Sequence, residues 1–210
     1  MKKLILLLIS LLMISCQTFY THEKDYNKQQ ILIQSAKESV LKIEQDSYFE
    51  TIDITFPSSW DYYSKELPSF NQIANNIEII IKDILQENSR EIIDPIFLYL
   101  SKIDIKEITN EELITMDSMS IRIKNELNLK ATIYNILNKN FDIINEQYLK
   151  AEELSSILKT NLENLKTVNK YINVPSINSF SIIALSEDIY TSLLEELAKN
   201  EINLRKLNNE

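Results

Sequence analysis

The stretch SFNQIANNIEIIIKDI, Ser69–Ile84, decides the fold. Phe70, Ile73, Ile77, Ile80, Ile81 and Ile84 recur at steps of three and four, which gathers them on one side of a helix and on neither side of a strand. Such a face needs apolar partners, and the rest of the chain supplies them. Leu32, Ala36, Val40 and Ile43 form a stripe before it. After it come Leu129, Ile133, Ile136, Leu137, Phe141, Ile144 and Tyr148, then Leu154, Leu158, Leu162, Leu165 and Ile172, then Ile189, Leu193, Leu197, Leu204 and Leu207. Five apolar faces of this kind predict an all-α protein, a single bundle of about six to eight helices.

Local signals set expected boundaries. Ser69 stands just before the second stripe, Thr109 lies three residues ahead of Glu112 as a capping box, and Ser186 leads Glu187 and Asp188 into the last helix. Pro57, Pro68 and Pro175 fall between stripes, where helices break. Pro95 has two readings: the first turn of a helix capped by Asp94, or a position inside a longer helix from about Ser89. Glycine is absent, so helix ends that need a left-handed residue are expected to use Asn. Near 49–57, Ile52, Ile54 and Phe56 alternate with polar residues and predict a short irregular extended segment.

The amino terminus is of a different character. Lys2 and Lys3 precede an apolar run, Leu4–Ile14, that is too short to span a bilayer and ends at Met13-Ile14-Ser15-Cys16. This is the layout of a secretory signal. Its last four residues resemble the bacterial lipobox, with Met where Leu is usual, which implies cleavage before Cys16 and acylation of that thiol. Two or more acyl chains, at ~0.8 kcal/mol per buried CH₂, would hold the protein on a membrane. Residues 1–15 are thus the expected signal peptide, 16–29 a polar tether and 30–210 the helical domain. Gln17 after the cysteine differs from the aspartate that retains enteric lipoproteins at the inner membrane, so the outer membrane is the expected location.

Composition excludes more than it assigns. Without glycine there is no glycine-dependent phosphate loop, dinucleotide fingerprint or nucleophile elbow. The net charge of −9 becomes −11 once Lys2 and Lys3 leave with the first fifteen residues, which repels nucleic acid. Cys16 is the sole cysteine, so no internal disulfide forms.

The segment Tyr48–Pro57, YFETIDITFP, looks like the aromatic-then-I-x-[LF]-P entry of the uncharacterised exported family called domain of unknown function 4197. Glu87 precedes Pro95-Ile96-Phe97 at the family's spacing, and Ile103-Asp104-Ile105 with Glu107 is similar to its M-T-I-x-D turn with one residue deleted. The resemblance covers Ile31–Leu149 and implies a helical exported protein with no established activity. It departs in lacking the family's glycines and in having Asp83 where the family has Asn. In composition and lipobox the chain is also similar to helical surface lipoproteins of spirochaetes, which implies binding of host components.

Candidate sites are few. His22, the one histidine, falls in the tether and lacks the rigid frame that catalysis requires. Glu111-Glu112, Glu152-Glu153 and Glu195-Glu196 are neighbours about 100° apart on a helix and do not converge on a metal. Glu87, Arg90 and Asp94 fit a structural ion-pair ladder, and so do Asp117 and Arg122. Trp60, Tyr62 and Tyr63, with Phe70, form the densest aromatic cluster: a plug at one end of the bundle, the lining of an apolar pocket, or an anchor for a partner. The chain is therefore expected to be a lipid-anchored envelope protein without catalytic residues, metal or cofactor, which binds another envelope or host protein or acts structurally. The alternative is a carrier enclosing an apolar molecule or lipid between helices near Trp60 and Phe70.

Overall fold

The computed structural model describes residues 26–166 and 181–208. Among them are ten α-helices, one 3-10 turn and no strand. The helices are α1 over 26–45, α2 Tyr48–Thr51, α3 Ser58–Glu66, α4 Pro68–Glu87 and α5 Ser89–Lys102. The 3-10 turn Ile105–Glu107 follows, then α6 Asn110–Ile114, α7 Ser118–Glu126, α8 Leu129–Lys139, α9 Phe141–Lys166 and α10 Ile182–Asn208. The protein is all-α. The count exceeds six to eight because α2 and α6 are 4 and 5 residues long, too short to display a periodicity. The signal segment, Cys16, His22, Ile172 and Pro175 lie outside the described residues, as do the side chains of Leu162 and Leu165.

The contacts divide the chain into two compact units. Unit 1 takes residues up to Ile43, Pro95–Leu127 and residues from Glu196; unit 2 takes Glu44–Asp94 and Asn128–Glu195. In unit 2, α4 packs against α2, α3, α8 and α9. Its buried face is Phe70, Ile77, Ile81, Ile84 and Leu85. Leu129, Ile133, Ile136, Leu137, Ile144, Leu185, Ile189 and Leu193 are buried in the same unit. In unit 1 the core is Leu32, Ala36, Val40 and Ile43 of α1 with Ile96, Leu100, Met119, Ile123 and Leu197. A fully buried side chain of this size contributes roughly 1.5–3 kcal/mol, so these faces, rather than helix propensity, hold each unit together.

The helix ends show how a chain without glycine turns. Asn88 ends α4 with φ −105° and ψ 15°, and its side-chain amide donates to the Ile84 carbonyl at 2.7 Å. Asn140 repeats the device after α8, donating to the Ile136 carbonyl at 2.9 Å. Asparagine is thus used at helix ends, through its side chain and without the expected left-handed backbone. Among the described residues the left-handed one is Ser47, at φ 49°.

Other boundaries are partly as expected. Thr109 and Glu112 form the reciprocal capping box of α6. Ser69 is not a cap: Pro68 opens α4, where a missing N–H costs nothing. Ser186 lies inside α10, buried and bonded to the Ile183 carbonyl, while the Ser181 hydroxyl accepts from the Ala184 N–H at the helix start. Pro95 sits within a continuous α5; burial of Ile92, Ile93, Ile96 and Leu100 offsets the ~3 kcal/mol that an interior proline costs. The extended segment begins later than expected, because Phe49–Thr51 belong to α2; residues 52–57 are non-helical, with Ile52 buried and Asp53 and Thr55 exposed. Residues 26–29, expected to belong to the tether, are helical and part of α1, and the Gln29 amide donates to the Ile108 carbonyl at 3.3 Å. Among the described residues no helix is long and apolar enough to cross a membrane.

Candidate functional site

Two features of unit 1 go beyond core packing. The first is an open groove of about 590 Å³ along α1, facing the last turn of α5 and the chain that follows it. Its apolar lining is Ile31, Ile33, Leu100, Ile103 and Ile105, of which Ile31, Ile103 and Ile105 are only half-buried. Gln34, Lys37 and Glu38 line its polar side, and the Gln34 amide donates to Glu38 Oε1 at 2.8 Å. The volume falls in the range of small-molecule sites. Charge is also unevenly shared: unit 2 carries 19 acidic against 9 basic residues, whereas the described part of unit 1 carries 9 against 10. The groove therefore lies in the near-neutral part of an acidic protein.

The second feature is a buried ionic cluster at the end of α10. Ile189, Leu193 and Leu197 continue in steps of four to Glu201 and Arg205, 0% and 5% exposed. Glu201 accepts from the Met119 N–H (3.1 Å), the Ser120 N–H (2.9 Å) and the Ser120 hydroxyl (2.7 Å), capping the start of α7 from another helix. Arg205 donates to the Leu113 carbonyl at 2.6 Å and to the Thr115 carbonyl, so it satisfies the end of α6. The two side chains are 3.9 Å apart. Burial raises the Glu201 carboxyl above the ordinary glutamate value, against the lowering effect of the Ser120 and Met119 bonds and of Arg205. Burial likewise lowers Arg205, while Glu201 and Asp117 oppose the shift.

Sequence spacing runs the last stripe through Leu204 and Leu207 and marks neither Glu201 nor Arg205. That reading is corrected: Leu207 is 69% exposed, and the inward face at this end of α10 is ionic. The four-residue step through Glu201 and Arg205 was the available signal. That spacing alone does not mark a core face, because a charged residue is rarely fully buried unless paired.

The expected ion pairs are rearranged. Arg122 lies 3.5 Å from Glu112 and 3.9 Å from Glu107 rather than pairing with Asp117. Its Nη1 is buried and close enough to Glu112 for charge attraction, yet not aligned for a hydrogen bond. Tyr99 is raised above the usual tyrosine value, first by burial, with Arg122 opposing and Glu126, Glu112 and Glu107 adding to the rise. Among the described residues, no ion pair joins Glu87, Arg90 and Asp94; Glu91 instead reaches Lys139 at 3.5 Å.

The aromatic cluster in unit 2 is packed core. Trp60 stacks on Phe56 at 5.0 Å and meets Phe70 edge-on at 5.0 Å, and Tyr63 stacks on Phe70 at 5.4 Å. Trp60, Tyr63 and Phe70 are at most 1% exposed, so these rings occupy one another's space and do not form the outward anchor considered above; Tyr62 is half-buried. The adjacent glutamates on α6, α9 and α10 are exposed or half-buried, and among the described residues no three His, Cys, Asp or Glu side chains come together as a metal site. Comparison with protein-family models, curated proteins and solved structures found no match for this chain.

Proposed function

We propose that this chain is a lipid-anchored, non-catalytic binding protein of the bacterial cell envelope, and that its binding site is the groove of unit 1. The observation that carries the reading is the groove's floor, where three isoleucines stay half-buried although the neighbouring residues of α1 and α5 close a dry core. The lipobox ending at Cys16 supports the anchor, and Gln17 supports the outer rather than the inner membrane. The resemblance to domain of unknown function 4197 belongs to the same reading. The carrier alternative is retained with its site moved, because the space near Trp60 and Phe70 is filled by their own rings. A protein partner, from the envelope or from a host, is a second reading: the groove is open, so a partner's side chains can reach Ile31, Ile103 and Ile105 from outside.

The test has two arms. Wild-type protein should incorporate palmitate and sediment with membranes, whereas Cys16→Ala should do neither. A photo-crosslinking residue at Gln34, exposed on the groove, should be captured in cells far more than one at Glu153, exposed on α9. A membrane-bound, labelled Cys16→Ala protein removes the anchor; equal capture at both positions removes the groove.

A further inference from the structure

Nothing in the sequence from Asn110 to Glu126 requires α6 to end where it does. The segment holds neither proline nor glycine, and laid out as one helix it places Leu113, Met116, Met119 and Ile123, with Leu127 just beyond, within about 120° of arc. The chain nevertheless breaks after Ile114. Thr115 is extended, at φ −75° and ψ 118°, and the Ser118 N–H turns back to the Thr115 carbonyl at 3.3 Å.

A continuous helix would bond the Asp117 N–H to the Leu113 carbonyl, Met119 to Thr115 and Ser120 to Met116. The end of α10 takes a partner from each of these three bonds. Arg205 donates to the Leu113 and Thr115 carbonyls, and Glu201 accepts from the Met119 and Ser120 amides. The Thr115–Met119 bond loses both members in this way, its acceptor to the cation and its donor to the anion, from side chains one turn apart on a single helix. Ser118 widens the break, since its hydroxyl donates at 2.7 Å to the Glu112 carbonyl that the Met116 N–H would otherwise use.

We infer that residues 110–126 are a two-state element: a broken helix while Glu201 and Arg205 hold it, and one continuous helix once both are withdrawn. The end of α10 thereby sets the form of α6 and α7. Withdrawing one side chain is not enough. Without Glu201 the Met119 and Ser120 amides are free, but Arg205 still occupies the carbonyl that Met119 would join. Donors and acceptors become available together only when both charges leave. A clamp with no second state behaves differently, because each loss then adds to the one before.

The test uses NMR on the full chain, with hydrogen exchange at Met119 and carbon chemical shifts at Thr115. Glu201→Ala should speed exchange at Met119 by about tenfold, and adding Arg205→Met should slow it again by about fivefold while Thr115 moves to helical shifts. Exchange in the double variant as fast as in Glu201→Ala, or an extended Thr115 there, overturns the inference. Met116→Pro added to the double variant should restore the fast rate, because proline suits the first central position of the Thr115–Ser118 turn and bars a helix through it. Slow exchange in that triple variant also overturns the inference. If the double variant does not fold, wild type decides: relaxation dispersion across 115–120 that Met116→Pro abolishes is the expected result, and its absence or its persistence overturns the two-state reading.

Discussion

The buried cluster on α10 predicts that Glu201→Ala is among the costliest single substitutions in unit 1. It strips the acceptor from two buried amides, Met119 and Ser120, and from the Ser120 hydroxyl, at 3.1, 2.9 and 2.7 Å. Each buried donor left unmatched costs about 1–3 kcal/mol, and breaking a buried ion pair from one side costs about 3–5 kcal/mol in total. We expect a loss of about 4 kcal/mol, a large share of the roughly 5–15 kcal/mol typical of a domain. Arg205→Met should cost less, about 3 kcal/mol, because Glu201 keeps its three donors while the Leu113 and Thr115 carbonyls lose theirs. The double variant should show a coupling of only about 1–2 kcal/mol, since the pair stands 3.9 Å apart and most of each side chain's bonding is to backbone. Urea unfolding followed by circular dichroism gives the totals. Hydrogen exchange at Met119 and Ser120 gives the local effect, which should be a marked acceleration. A Glu201→Ala cost below about 1.5 kcal/mol, or unchanged exchange at those two amides, would refute the capping role.

Three further outcomes follow from named residues. Burial raises the Glu201 carboxyl, so the folded chain holds a proton there at pH values where the unfolded chain has released it; relative to Glu201→Gln, wild type should gain stability as pH falls from neutral toward the ordinary glutamate value and lose it as pH rises, read as urea midpoints. Ser47→Gly should stabilise by about 0.5–1 kcal/mol, because a left-handed non-glycine costs about 1–2 kcal/mol and the added freedom of the unfolded glycine returns part of it; a lower urea midpoint would contradict this. Ile77→Ala, at 0% exposure, should cost about 2–5 kcal/mol, whereas Ile79→Ala, at 56%, should stay within about 0.5 kcal/mol; equal costs would mean that the face of α4 is misassigned.

The helical class and the main buried faces were legible in sequence because burial on a helix repeats every three to four residues and isoleucine marks it. Leu32, Ala36, Val40 and Ile43 are all buried as their spacing requires, as are Phe70, Ile77, Ile81 and Ile84. The Thr109–Glu112 box was legible for a similar reason: both partners lie within one turn. What tertiary structure alone decided joins residues distant in the chain. Glu201 reaches amides more than eighty positions away, and Arg205 reaches carbonyls ninety or more away; nothing local marks either as buried, because a charge enters a core only when another element has already placed its partners there. The groove is of the same kind. Ile31 falls outside the Leu32–Ile43 stripe and Ile103 in an expected turn, and only the way α1 approaches the end of α5 brings them together, half-buried, on one groove.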